Sequence, residues 1–158
     1  YNQLIRSRIK CEEALSGIDV ALAKRYDSLT NIQEAVRGYT KHEQTVLTEL
    51  TKLRTSMTLN EKEALADQYT QVQKQLLMVA EGYPQLQASA NFLQLQETIA
   101  DVEEHLQAAR RAYNANVARY NEKLQMFPSS LIAGLIHAEA KAFFQADLKQ
   151  QETPKITL

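Results

Sequence analysis

Residues 92–127, FLQLQETIADVEEHLQAARRAYNANVARYNEKLQMF, decide the fold class. Apolar side chains recur at Phe92, Leu95, Ile99, Val102, Leu106, Ala109, Tyr113, Val117, Tyr120, Leu124 and Phe127. This three-and-four spacing draws one stripe along an amphipathic helix. Alternation with a period of two is not sustained here or elsewhere, so the chain is expected to be all-α.

Working outward, a second stripe covers Leu65, Tyr69, Val72, Leu76, Val79 and Tyr83. Thr58-Leu59-Asn60-Glu61 reads as a capping box at its start, the hydroxyl and carboxylate answering the first unpaired amides of a helix. Gly82 is expected to end that helix in the left-handed conformation, and Pro84 to open the next, where its missing N–H costs nothing. The next helix is expected over 84–127, roughly 65 Å long at 1.5 Å per residue. Phe127-Pro128-Ser129-Ser130 closes it and caps a shorter helix over about 131–148. Pro154 keeps the tail, 151–158, out of helix.

The first stripe runs from Cys11 through Leu15, Ile18, Leu22, Leu29, Ile32, Val36 and Tyr39 to Val46, Leu50, Leu53 and Met57. Polar steps interrupt it at Arg25 and Glu43. It crosses 26–31 without slipping, which suits one bent helix. Thr30-Asn31-Ile32-Gln33 is nevertheless a capping box, and Asp27-Ser28 are poor helix-interior residues. Two helices, about 2–26 and 31–56, are therefore expected. Four amphipathic helices of this kind bury their seams as an antiparallel up-and-down four-helix bundle, with the short helix added at the C-terminal end. One domain, 1–150, and an extended tail account for all 158 residues.

The composition excludes several functions. Eighteen basic and nineteen acidic residues leave a formal charge of -1, so there is no field for gripping nucleic acid. Cys11 is the only cysteine, which rules out an internal disulfide and a cysteine metal site. It lies on the apolar stripe, where a free thiol packs as a small hydrophobe. The longest apolar runs, Leu76–Ala80 and Leu131–Ile136, are far short of the ~18 residues a bilayer span needs. Helical di-iron sites use Glu-x-x-His pairs, yet Tyr39, Val102 and Gly134 stand three residues before His42, His105 and His137. His42-Glu43 opens like a zinc-protease motif but has Val46 where the second His belongs. The four glycines are scattered, so there is no phosphate loop. No catalytic set, metal or cofactor is expected.

The aromatic set is skewed to seven Tyr and no Trp. Tyr39, Tyr69, Tyr83, Tyr113 and Tyr120 take seam positions, and Tyr113-Asn114 repeats seven residues later as Tyr120-Asn121. Each Asn flanks the seam. These residues, with Tyr39, His42 and Glu43, are the candidate interaction positions. They would either line a polar groove for a partner segment or fix helix register through hydrogen-bonded packing.

The order and spacing of several blocks resemble the LemA family nearly end to end. They are Tyr1-Asn2; Ile18-Asp19-Val20-Ala21-Leu22 leading to Lys24-Arg25-Tyr26-Asp27; Val36-Arg37-Gly38-Tyr39 with His42-Glu43; and Tyr83-Pro84-Gln85-Leu86 with Asn91-Phe92 and Leu95-Gln96. Glu103, Leu106, Arg110, Tyr113-Asn114, Tyr120-Asn121 and Phe127-Pro128 follow. One departure is Thr30, where members of the family usually have Pro. The resemblance implies a bacterial envelope protein with a four-helix bundle and no catalytic activity or cofactor. It also implies a membrane anchor just before the Tyr-Asn pair, either one transmembrane helix or a lipoprotein-type signal.

Arg6, Arg8 and Lys10 precede the first acid, Glu12, and would form a positive-inside flank if a span came before them, favouring the cytoplasmic face. The expected function is a membrane-tethered, non-enzymatic scaffold at the bacterial cell envelope that binds envelope proteins or a second copy of itself. The alternative is a soluble oligomeric bundle holding a small or lipid-like ligand between its helices.

Overall fold

Helix forms where the three-and-four stripe is strongest. The computed structural model describes residues 1–40, 50–54 and 56–144, and no strand occurs among them. The helices are α1 (Asn2–Tyr39), α2 (Leu59–Glu81), α3 (Pro84–Gln87), α4 (Ala90–Gln125) and α5 (Ser129–Leu135). The chain divides into two compact units, Gly17–Ala109 and Tyr1–Ser16 with Arg110–Leu158.

The expected break at residues 26–31 is absent, and α1 runs through it. The Ser28 hydroxyl donates to the Lys24 carbonyl at 2.9 Å, and the Thr30 hydroxyl to the Tyr26 carbonyl, also at 2.9 Å. Turned back on the preceding turn in this way, both side chains leave the backbone ladder in place. Thr30 also keeps the amide that a proline would lack. Leu29 and Ile32 are both buried, so the seam holds its register across the same turn.

The helix expected over 31–56 is therefore the second half of α1, and it stops at Tyr39. Residues 50–54 are not helical. In this stretch the Thr51 carbonyl accepts the Tyr69 hydroxyl at 2.8 Å, a tie to α2. The capping box at Thr58 forms as expected, with both reciprocal bonds present at 3.3 Å. Gly82 ends α2 in the right-handed region (φ -74°) rather than the left-handed one, because the Gly82 and Tyr83 amides close onto Val79 and Ala80 as a tight final turn. Pro84 does open a helix, but one of four residues, and the chain restarts at Ala90. The long helix expected over 84–127 is thus α3 followed by α4. The helix expected over 131–148 is reduced to α5, and 138–144 are not helical. Residues 145–148 and the tail, 151–158, lie outside the described residues.

In the Gly17–Ala109 unit the buried residues follow the stripes: Ile18, Leu22, Leu29, Ile32 and Val36 on α1, Leu65, Tyr69, Val72 and Leu76 on α2, and Phe92, Ile99, Val102 and Leu106 on α4. Arg25 occupies a seam position among them and is only 2% exposed. Its guanidinium donates to Thr70 Oγ1 (3.1 Å) and Gln73 Oε1 (3.2 Å) on α2, and lies 3.8 Å from Glu103 Oε1 on α4. Lys62 and Asp19 form a second link between α1 and α2 at 2.7 Å. The pairs Asp19–Lys62 and Arg25–Thr70 advance together, so α2 runs parallel to α1 in this unit. Arg25 meets Glu103, while Asn31 and Glu34 share a cavity wall with Asn91 and Leu95, so α4 runs antiparallel to α1 there.

Tyr69 is fully buried, its ring 6.3 Å from that of Tyr26. Burial foremost, then the nearby Tyr26, pushes its phenol from 10 up to about 12, with Arg25 pulling the other way and Asp27 adding a smaller push. The folded state thus holds this proton more tightly than the unfolded state. Its contribution is complete below about pH 10 and is lost as pH rises toward 12, by up to ~2–3 kcal/mol at 1.36 kcal/mol per unit. Urea midpoints measured from pH 9 to 12 should fall more steeply for the natural chain than for Tyr69→Phe. Thr30→Pro should cost about 3 kcal/mol and lower the helical circular-dichroism signal, because the ring meets the Tyr26 carbonyl in a helix interior. An unchanged urea midpoint for that variant would mean that α1 is broken there after all.

Candidate functional site

The second half of α4 carries both Tyr-Asn pairs in the unit formed by Tyr1–Ser16 and Arg110–Leu158. Tyr113, Val117 and Tyr120 are buried along the seam, and Asn114 and Asn121 sit half-buried beside it. Both asparagines are bound to the backbone of 138–144, the segment after α5. Asn121 Nδ2 donates to the Lys141 carbonyl, and its Oδ1 accepts the Lys141 amide, both at 2.9 Å. Asn114 repeats the pattern with Phe144, donating at 3.2 Å and accepting at 2.8 Å. The Tyr113 hydroxyl adds a bond to the Ala142 carbonyl at 3.0 Å.

The spacings explain the fit. Seven residues of helix rise about 10.5 Å, and three residues of extended chain cover about 10 Å. Asparagines a heptad apart therefore match every third peptide group of an extended segment. As the contacts pass from Asn114 to Asn121 they pass from Phe144 to Lys141, so the strap lies antiparallel to α4. A carboxamide offers a donor and an acceptor side by side, which is what the N–H and C=O of one residue require. This pairing also helps explain why 138–144 leave the helix expected for them: the amides and carbonyls of Lys141 and Phe144 and the Ala142 carbonyl have their partners on α4.

Few strap side chains are held. Phe144 is 1% exposed, with the buried Arg110 guanidinium 4.9 Å from its ring centre, within cation–π range. Lys141 Nζ reaches only to 4.0 Å from Glu12 Oε1, both partners partly in solvent. Glu139, Ala140, Ala142 and Phe143 are exposed. The strap begins at His137, a non-glycine residue in the left-handed region (φ 48°). Near the strap, Cys11 is 1% exposed; burial chiefly pushes its thiol up, Lys141 lowers it and Glu12 raises it. It is a packed residue. At the other end, Lys123 Nζ donates to the Ser7 hydroxyl at 2.7 Å, tying α4 to α1.

Of the positions singled out from sequence, Tyr113, Asn114, Tyr120 and Asn121 come together here. Tyr39 does not share a core seam: it ends α1 and is 45% exposed. Tyr83 is half-buried at the start of α3. His42 and Glu43 lie outside the described residues. Lys141 and Phe144 were not singled out, and Arg110 was named only among the residues of the family resemblance. An aromatic three residues beyond a lysine has no signature until its groove is known. Asn121→Ala leaves two backbone groups of the strap without their partner and should lower stability by about 1–2 kcal/mol. Phe143→Ala should stay within about 0.5 kcal/mol, as an exposed side chain does. Urea denaturation of the two variants checks that the strap is held through its backbone; equal losses would contradict it.

Comparison with known proteins covers the same ground. A family model described as the LemA family matches residues 14–158, which takes in both Tyr-Asn pairs and the strap they hold. Protein LemA of Metamycoplasma hominis is 27% identical over 150 residues, covering 92% of this chain and 68% of that protein. On a match that runs through nearly the whole length, the chain belongs to the LemA family.

Proposed function

We propose that this chain is a non-enzymatic, membrane-tethered module that binds protein partners at the bacterial cell envelope. The observation that carries the reading is the pair of carboxamides on α4, which hold an extended polypeptide by its main chain. A surface built this way recognises protein rather than a small molecule. A helical bundle is part of the proposal, supported by the opposed course of α1 and α4 in the Gly17–Ala109 unit, where α2 runs parallel to α1 instead of alternating with it.

The tether is inferred from family membership and from Arg6, Arg8 and Lys10, which are all exposed near the start of α1. A cluster of this sign beside a span favours the cytoplasmic face. No helix of the described residues is long and apolar enough to cross a membrane. A ligand held between helices has less support. The pocket of about 540 Å³ in the Gly17–Ala109 unit mixes Thr51, Arg54, Glu61 and Gln68 with apolar Met57, Ala64 and Leu65, and it opens broadly to solvent rather than lying enclosed between helices.

Expression of the gene with its natural upstream sequence, followed by cell fractionation, tests the tether. The product should sediment with membranes and withstand a high-salt wash. A product wholly in the soluble fraction would refute the tethered reading.

A further inference from the structure

We propose that the groove bounded by Asn114, Asn121 and Arg110 is an exchangeable docking site for extended peptide segments, and that the chain's own strap, Ala138–Phe144, is its resident occupant and competes with partners. The proposal rests on the reading of the protein as a protein-binding module and names the chemistry of the partner. The segment it fits is extended and antiparallel to α4, with an aromatic side chain three residues after the residue that faces Asn121.

Three observations make the strap a replaceable occupant rather than a fixed part of the core. The first is how it is held. Five hydrogen bonds join α4 side chains to strap main chain, three donated by the side chains and two by the Lys141 and Phe144 amides, so any extended chain can reproduce them. Phe144 is the one strap side chain fully buried.

The second is an opening beside it. A solvent-open pocket of about 340 Å³ is lined by Ile136–Lys141 together with Leu4, Ile5, Arg8 and Tyr120, so the first half of the strap has one side free of packed neighbours. A side without partner atoms forgoes the dispersion contacts that hold a packed segment down.

The third is the hinge. His137 sits in a backbone region disfavoured for residues with a side chain, and release of the strap relieves that conformation. The hold is therefore concentrated at Phe144 and in the two carboxamides, with a disfavoured hinge at one end.

Competition sets the expected numbers. A peptide sees only the fraction of chains whose groove is open, so its apparent affinity scales with that fraction. Weakening the strap without touching α4 should strengthen binding of a peptide supplied from outside. Phe144→Ala removes the aromatic anchor, and Lys141→Pro removes the amide that Asn121 accepts. Both leave the groove whole.

The probe is a fluorescein-labelled, N-acetylated peptide of the sequence AEAKAFF, added to the purified full chain and followed by anisotropy. Phe144→Ala and Lys141→Pro should each bind it about tenfold or more tightly than the natural chain, as the open fraction rises. Adding Asn114→Ala and Asn121→Ala to either should remove that gain, and so should alanine at the peptide's last position. No saturable binding by the natural chain or either opened variant overturns the proposal. So does binding that persists without the two asparagines. The assay needs no membrane, so a failed tether and a failed groove are told apart.

Discussion

A guanidinium in an apolar seam has to be answered, and the arrangement of the Gly17–Ala109 unit follows from the way Arg25 is. Removed from water, its charge would be costly without partners, and the planar head can be satisfied only by groups arriving from more than one direction. Thr70 and Gln73 arrive from α2 and Glu103 from α4, so a single side chain fixes the register of three helices. The apolar stripes on either side could slide by a turn and remain apolar. Arg25 could not follow without losing its partners. The Asp19–Lys62 pair and the Tyr69 hydroxyl on Thr51 reinforce the same alignment from nearby positions.

The unit formed by Tyr1–Ser16 and Arg110–Leu158 uses polar chemistry differently. There the specifying groups are neutral carboxamides, and their partner is main chain. A buried charge pair discriminates between registers because few groups can replace either member. A carboxamide facing a peptide group discriminates between conformations, since it accepts only an extended segment at the right height, yet it is indifferent to most side chains. Arg25 therefore suits a fixed core, and the asparagine pair suits a surface whose occupant can change.

Much of this was legible from sequence, and what was missed shares a cause. The stripes marked the buried faces of α1, α2 and α4, and the Thr58–Glu61 box marked the start of α2, because both signals are local and repeat with the helix period. The same local chemistry misled at Thr30, where a capping box has the residues of a helix start but the seam carried the helix through. It also misled at 138–144, whose Ala, Glu and Lys content suits a helix until long-range partners take the backbone groups. Arg25 read as an interruption because nothing nearby in sequence names Thr70 or Glu103 as its partners. The two Tyr-Asn pairs stood out through their seven-residue repeat, and the choice between groove and register lock stayed open. In the structure Tyr113, Asn114 and Asn121 bind the main chain of residues 141–144 of the same chain.

Cys11 has a consequence of its own. It is the sole thiol of the molecule, packed out of solvent and close enough to Lys141 to feel its charge. Its sulfur becomes available to an alkylating reagent only in excursions that uncover it. The chain thus carries a native chemical clock beside the strap: the pace at which one unmodified cysteine is trapped counts how often that part of the molecule breathes.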